Sequence, residues 1–225
     1  MKIAQAIKVT MLISIPSAVG LFVLAKPVVL LLYPQKATVD IVAALIRTMA
    51  VAVVFYGLST LTNAVLQGTG KVNKPVIHAL CALVMQTLVL VPLLLYTDLN
   101  LYALCIATVV YAFLMCVLNA VSIRKHLKYE QELFKTFVLP AIAAFWMGVV
   151  TAGVYFGLDK GIVLIAEVPQ FWRNIICLVP LLLAAVIVYF MLVIKLGAVS
   201  KNELKTMPKG HVLVRVAERL HLVQR

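Results

Sequence analysis

Residues 55–75 read FYGLSTLTNAVLQGTGKVNKP, and the fold turns on how that stretch is understood. Its hydroxyl and amide side chains fall at Tyr56, Ser59, Thr60, Asn63 and Gln67. Spacings of three and four put them on one side of a helix. In hydrocarbon such groups are costly unless they face other helices or a wet cavity. Gly68 and Gly70 then stop the helix, because glycine takes the positive φ that a helix end needs. Lys71 and Lys74 mark an exit into water. Pro75 opens the next helix where a missing N–H costs nothing. A polar stripe, a glycine stop and two lysines make a membrane-spanning hairpin.

Composition extends that reading to the whole chain. Of 225 residues, 64% are hydrophobic and only 12% charged, against about a quarter charged in a soluble domain. The charges lie between long apolar runs rather than along them. The net charge of +12 does not indicate nucleic acid, since the basic residues sit in short loops and in the tail. Cys81, Cys105, Cys116 and Cys177 all lie in apolar spans with no metal-ligand spacing, and are read as small buried hydrophobes. The first apolar stretch is too long for a cleaved leader and is taken as a span.

Six spans can be drawn, each near the ~20 residues a bilayer requires. They run 9–25, 41–66, 76–95, 101–123, 138–158 and 175–194. Short connections predict that consecutive helices are antiparallel neighbours. Fifteen lysines and arginines fall on one side: Lys2, Lys8, Lys71, Lys74, Arg124, Lys125, Lys128, Lys135 and seven between Lys195 and Arg225. The other side holds Lys36, Lys160 and Arg173, with Asp40, Asp98, Asp159 and Glu167. That imbalance predicts both termini in the cytoplasm. The chain divides into a bundle, 1–195, and a cytoplasmic linker and tail, 196–225.

Several spans carry further signals. Pro16 and Gly20 lie inside the first, and Lys26-Pro27 separates it from a second apolar run, Val28 to Tyr33. A bent helix with a short outer interfacial helix is expected, Lys26 snorkelling to the headgroups, with one longer kinked helix as the alternative. Ala144, Gly148 and Ala152, and likewise Gly153 and Gly157, repeat at spacing four and would let helices approach closely. The sixth span is uniformly bulky around Pro180 and reads as peripheral. Gln86 and Asn119 are polar groups suited to bonding between helices. In the tail, Val212, Val216, Leu220 and Val223 oppose Arg215, Glu218 and Arg219, as in an amphipathic helix on an anionic membrane surface.

Chemistry for catalysis is not evident. GTGK at 68–71 resembles a phosphate-binding loop, but Val65 stands where the pattern needs glycine and Val72 where it needs Ser or Thr. His78, His126, His211 and His221 have no zinc-protease spacing, and no carboxylate falls in mid-span to couple protons or sodium. No catalytic residue, cofactor or metal ligand is assigned. The candidate substrate-path residues are Arg47, Ser59, Thr60, Asn63 and Gln67. Arg47 admits two readings: a cavity cation for an anionic headgroup such as pyrophosphate, or a side chain snorkelling toward the outer interface near Asp40. On an ideal helix it stands almost opposite Tyr56 and Asn63. The stripe from Ser59 to Gln67 lines a path or bonds to neighbouring helices.

Three segments carry a family resemblance: IPSAVGLFVLAKPVVLLLYP at 15–34, GLSTLTNAVLQGTGKVNKP at 57–75 and ELKTMPKGHVLVRVAERLHLV at 203–223. Together they resemble the carboxy-terminal half of polysaccharide biosynthesis proteins of the stage V sporulation protein B type. That group belongs to the multidrug/oligosaccharidyl-lipid/polysaccharide exporter superfamily, alongside lipid II flippases. The resemblance implies an all-α polytopic protein of the bacterial plasma membrane, the carboxy-terminal lobe of a two-lobe fold with a cationic central cavity. It implies a flippase for polyprenyl-pyrophosphate-linked saccharide, a precursor of cell wall or surface polysaccharide, whose amino-terminal lobe this sequence does not contain. The family's cavity arginines lie mostly in that lobe, so none is transferred. A multidrug–cation antiporter half and a non-transporting six-span scaffold are the alternatives. The partners expected are the bilayer, the lipid-linked saccharide and the other lobe, and no nucleic acid.

Overall fold

The computed structural model describes residues 2–33, 38–127, 134–165 and 170–199. The predicted tail helix lies outside the described residues. Every regular element within them is helical. They are α1 (Lys2–Val23), α2 (Ala25–Leu32), α3 (Val39–Gly68), α4 (Asn73–Tyr96), α5 (Leu101–Leu127), α6 (Leu139–Ile165) and α7 (Gln170–Lys195). A π-helical turn, Phe134–Val138, runs into α6. Six helices, α1 and α3–α7, are long and apolar enough to cross a bilayer, and each overlaps one of the six expected spans. Helices are what such sequences must form, since only intrahelical bonding satisfies the backbone where there is no water.

The stop after α3 forms at Gly70, whereas Gly68 remains the last helical residue without a positive φ. Gly70 takes φ +78°, the Gly70 N–H donates to the Gln67 carbonyl and the Lys71 N–H to that of Leu66. This pair of bonds caps a helix whose last carbonyls would otherwise be bare. The same arrangement ends α7, where Gly197 has φ +70°, its N–H reaches the Ile194 carbonyl and that of Ala198 reaches Val193. Pro75 sits in the first turn of α4.

Packing does not follow chain order throughout. α5 lies against both α3 and α4, which themselves meet only slightly, although a tight turn joins them. α3 packs on α1 by its other side, α1 on α6, and α6 on α7. The expected adjacency of consecutive spans therefore holds for α1–α3, α4–α5 and α6–α7 and fails for α3–α4 and α5–α6. A short turn brings helix ends together, while buried contacts decide which sides meet. The periphery also differs from expectation. α4 is the barest spanning helix, burying only Pro75, His78 and Ala82, whereas α7 buries the stripe Leu178, Leu181, Ala185, Tyr189 and Val193.

α1 and α2 are separate helices broken at Leu24. Pro27 has no N–H to offer the Val23 carbonyl, which kinks the rod. α2 then packs on α3 and α7. Lys26 pairs with Asp40 at 2.8 Å, both side chains largely exposed. The small-residue stripes behave differently from one another. Gly148 faces α1 so closely that an added Cβ would stand 2.7 Å from Val19 Cγ1, whereas Gly153 and Gly157 meet nothing within 4 Å. Of the cysteines, Cys116 is buried as expected, but Cys81 is exposed and Cys105 half-buried.

Candidate functional site

The polar stripe of α3 divides between two environments. Ser59 and Thr62 are buried against α5, and the centre of that contact is Asn119, with no exposed surface. The Asn119 amide donates to Asn63 Oδ1 at 2.7 Å and Thr62 Oγ1 at 3.0 Å, with the Ser59 carbonyl at 3.4 Å. Its own Oδ1 lies 2.8 Å from His78 Nδ1 on α4. Because an amide oxygen only accepts, the His78 proton sits on Nδ1. His78 Nε2 hydrogen-bonds with the Ser122 hydroxyl at 3.1 Å. One turn on, His126 Nδ1 donates to the Ser122 carbonyl at 2.9 Å. This chain of bonds ties α3, α4 and α5 together, with Asn119 bonded to both of its neighbours.

Ser59 and Asn63, expected as path residues, thus belong to an interhelical network. Asn119 joins the helices as its type suggested; Gln86, half-buried on α4, bonds to no other described residue. Thr62, His78 and Ser122 are members of the network that the sequence expectation lacks. A signal for them was present: Asn119, Ser122 and His126 succeed one another at spacings of three and four, one face of α5.

Thr60 and Gln67 are exposed, and neither side chain hydrogen-bonds to another described residue. Tyr56 shares their face, 37% exposed. At about 100° per residue, Tyr56, Thr60 and Gln67 fall within an arc of roughly 40°. Tyr111 of α5 closes the edge of this strip, its ring centroid 6.3 Å from that of Tyr56. Neither tyrosine hydroxyl bonds to another described residue.

Arg47 is not part of this face. It is exposed on the far side of α3, and its Nε reaches the Phe22 carbonyl of α1 at 3.4 Å. Asp40, two turns away toward the Val39 end of α3, is paired with Lys26.

A second feature lies between α1, α6 and α7. An apolar cavity of ≈ 380 Å³ opens where Pro16, Gly20, Gly148 and Ala185 leave room, with Thr151 and Tyr189 in its wall. Tyr189 is 2% exposed, and its hydroxyl has no hydrogen-bond partner among the described residues. Among the described residues no group of three or more His, Cys, Asp or Glu is placed to hold a metal ion.

The helix ends also sort by charge. α1 begins, α3 ends, α4 begins, α5 ends, α6 begins and α7 ends on one side of the bundle. Lys8, Lys71, Lys74, Arg124, Lys125, Lys135 and Lys195 are near those ends.

No curated protein matches the chain. A family model described as lipid II flippase MurJ matches residues 1–170 of the 225. That match supports the exporter superfamily that the sequence resembles, and the six long apolar helices are those of a multi-pass membrane protein. The chain belongs to the lipid II flippase MurJ family.

Proposed function

We propose that this chain is the carboxy-terminal part of a flippase, of the stage V sporulation protein B type, for a polyprenyl-pyrophosphate-linked saccharide. It would work in the bacterial plasma membrane, by alternating access, with both termini cytoplasmic, as a transporter rather than a catalyst. Residues 1–195 form the membrane bundle and 196–225 the cytoplasmic tail.

The observation that carries this reading is the bare polar strip on α3. Tyr56 and Thr60 lie on a helix long and apolar enough to span, yet their hydroxyls have no partner among the described residues. A lipid-facing surface does not keep such groups at that depth. A water-filled path between two lobes does, and alternating access needs a second bundle to close it. Thr60 and Gln67 then line the path, while Ser59 and Asn63 hold its wall. Arg47, on the opposite face, serves at an edge rather than at the centre. The apolar cavity between α1, α6 and α7 offers a complementary surface for the hydrocarbon part of the same substrate.

Two measurements test this. An antibody against residues 200–225 should detect a native product well above 24.7 kDa, or a 24.7 kDa band that copurifies with a separate lobe. A free 24.7 kDa protein with no such partner overturns the two-lobe reading. Vesicles containing the complete assembly should expose a lipid-linked disaccharide to an external glycan-modifying enzyme, and no exposure above that of empty vesicles overturns the transport reading.

A further inference from the structure

We propose that Tyr56 and Tyr111 form a stacking platform for a pyranose ring, with Thr60 below it and Gln67 toward its mouth supplying hydrogen bonds. The inference rests on the flippase reading and names the place where the saccharide sits.

The α3–α5 seam carries two aromatic pairs, and they differ in kind. Phe55 and Phe113 meet edge to face with centroids 5.3 Å apart. That pair packs the helices, as phenyl rings do. Tyr56 and Tyr111 lie at the edge of the same seam, more loosely at 6.3 Å and tilted by 40°. If this second pair only packed helices, phenyl rings would serve better, because each tyrosine brings a hydroxyl that hydrocarbon penalises.

Depth sharpens the contrast. Tyrosine in membrane proteins gathers at the headgroup belts, where its ring is in hydrocarbon and its hydroxyl in water. At about 1.5 Å per residue, Tyr56 stands roughly 18 Å from the Gly68 end of α3 and about 26 Å from the Val39 end. Tyr111 is about 15 Å along α5 from Leu101. Both are well inside the membrane.

Their neighbours point the same way. Thr48, Thr62, Thr69, Thr87, Thr97 and Thr108 each turn the hydroxyl back to a carbonyl of their own helix. Thr60, one turn from Tyr56, makes no such bond; Thr10, Thr136 and Thr151 make none either, but they are buried or half-buried, and Thr60 is exposed. Gln67, two turns further along the same face, is also free among the described residues. The result is a line of unused donors and acceptors about 17 Å long, beginning at two aromatic rings. A sugar matches it: the axial C–H face of a pyranose lies on an aromatic ring, while its hydroxyl and acetamido groups take hydrogen bonds at the rim. A drug-like cation would be expected to find a carboxylate here, and the strip has none.

The test uses the complete two-lobe assembly in lipid nanodiscs, with the soluble disaccharide N-acetylglucosaminyl-N-acetylmuramic acid as probe. Saturation-transfer NMR with irradiation of the aromatic protons should light the sugar ring protons. Tyr56→Phe should keep the signal, since the ring remains. Tyr56→Leu and Tyr111→Leu should each weaken binding about tenfold, the scale of one lost aromatic contact. Thr60→Val, a near-isosteric change, should weaken it less while leaving the ring signal in place. No transfer from the wild-type assembly overturns the platform, as does unchanged binding in the leucine variants. Unchanged binding in those variants with vesicle transport intact overturns the platform and leaves the flippase reading standing. Normal binding without any transport by the complete assembly overturns the flippase reading and leaves the sugar site.

Discussion

The bundle contains two three-helix units that solve one problem differently. α3, α4 and α5 are joined by a polar network centred on Asn119 and His78. α1, α6 and α7 are joined by small residues, Ala143, Ala144, Gly148 and Ala185, which bring the helices close. Lipid tails are as apolar as leucine, so hydrophobicity does not drive helices together inside a bilayer. Either directional bonds or close van der Waals contact must supply the attraction. Directional bonds fix rotation and register, and the first unit has every buried member of its network bonded. Steric contact fixes only distance, and the second unit keeps an open cavity and a Tyr189 hydroxyl with no partner among the described residues. The units meet at the α1–α3 seam, where Gly57 lies against Ser14.

The seam is the place where a substitution should do most. An added Cβ at Gly57 would stand 2.2 Å from Ser14 Oγ and 3.1 Å from Ser14 Cβ. Gly57→Val should cost about 3 kcal/mol, measured by reversible denaturation in mixed micelles, and Ser14→Gly should recover part of it. No recovery in the double variant would mean that the units do not meet through this contact.

The network comes next. Asn119→Leu removes the acceptor of the His78 N–H and the donor to Asn63, leaving buried groups unpaired, and should cost about 2 kcal/mol. The loss should appear as faster hydrogen exchange in α4, which touches little but α5. Uniform loosening of all six helices would erase the distinction between the units. In the second unit, Gly148→Ala should cost about 1 kcal/mol, with Val19→Ala restoring the space, while Gly153→Ala should be near neutral. A smaller effect still is expected at the Lys26–Asp40 pair, which is mostly exposed. Lys26→Ala should change stability by less than about 0.5 kcal/mol, and added salt should erase even that.

Much of this was legible in the residues. Run lengths and the segregation of charge marked six spans, because a bilayer admits only long apolar helices. Gly70 marked a helix stop, because positive φ is written in the residue type; Gly68, expected to share that role, stays helical as the last residue of α3. The division of the polar stripe was not legible. Ser59 and Thr60 are adjacent, both hydroxyl-bearing, and one is buried against α5 while the other is exposed. Helical periodicity places them about 100° apart, and only the position of α5 says which of them meets a neighbour. His78 was hidden for the same reason, since its partners are 41 and 44 residues away. Gly148 and Gly153 look alike in sequence, and α1 stands against only the first.

By itself, then, the sequence determined what each segment is: a span, a stop, a kink at Pro27, and the end of the bundle that collects the cations. These depend on local backbone chemistry and on transfer between water and hydrocarbon, both of which act on one segment at a time. The tertiary structure decided which faces meet: α5 between α3 and α4, α1 against Gly57 and Gly148, and Tyr56 beside Tyr111 at an open edge. Those outcomes depend on shape and hydrogen-bond direction between segments distant in the chain, and no periodicity within a single helix carries that information.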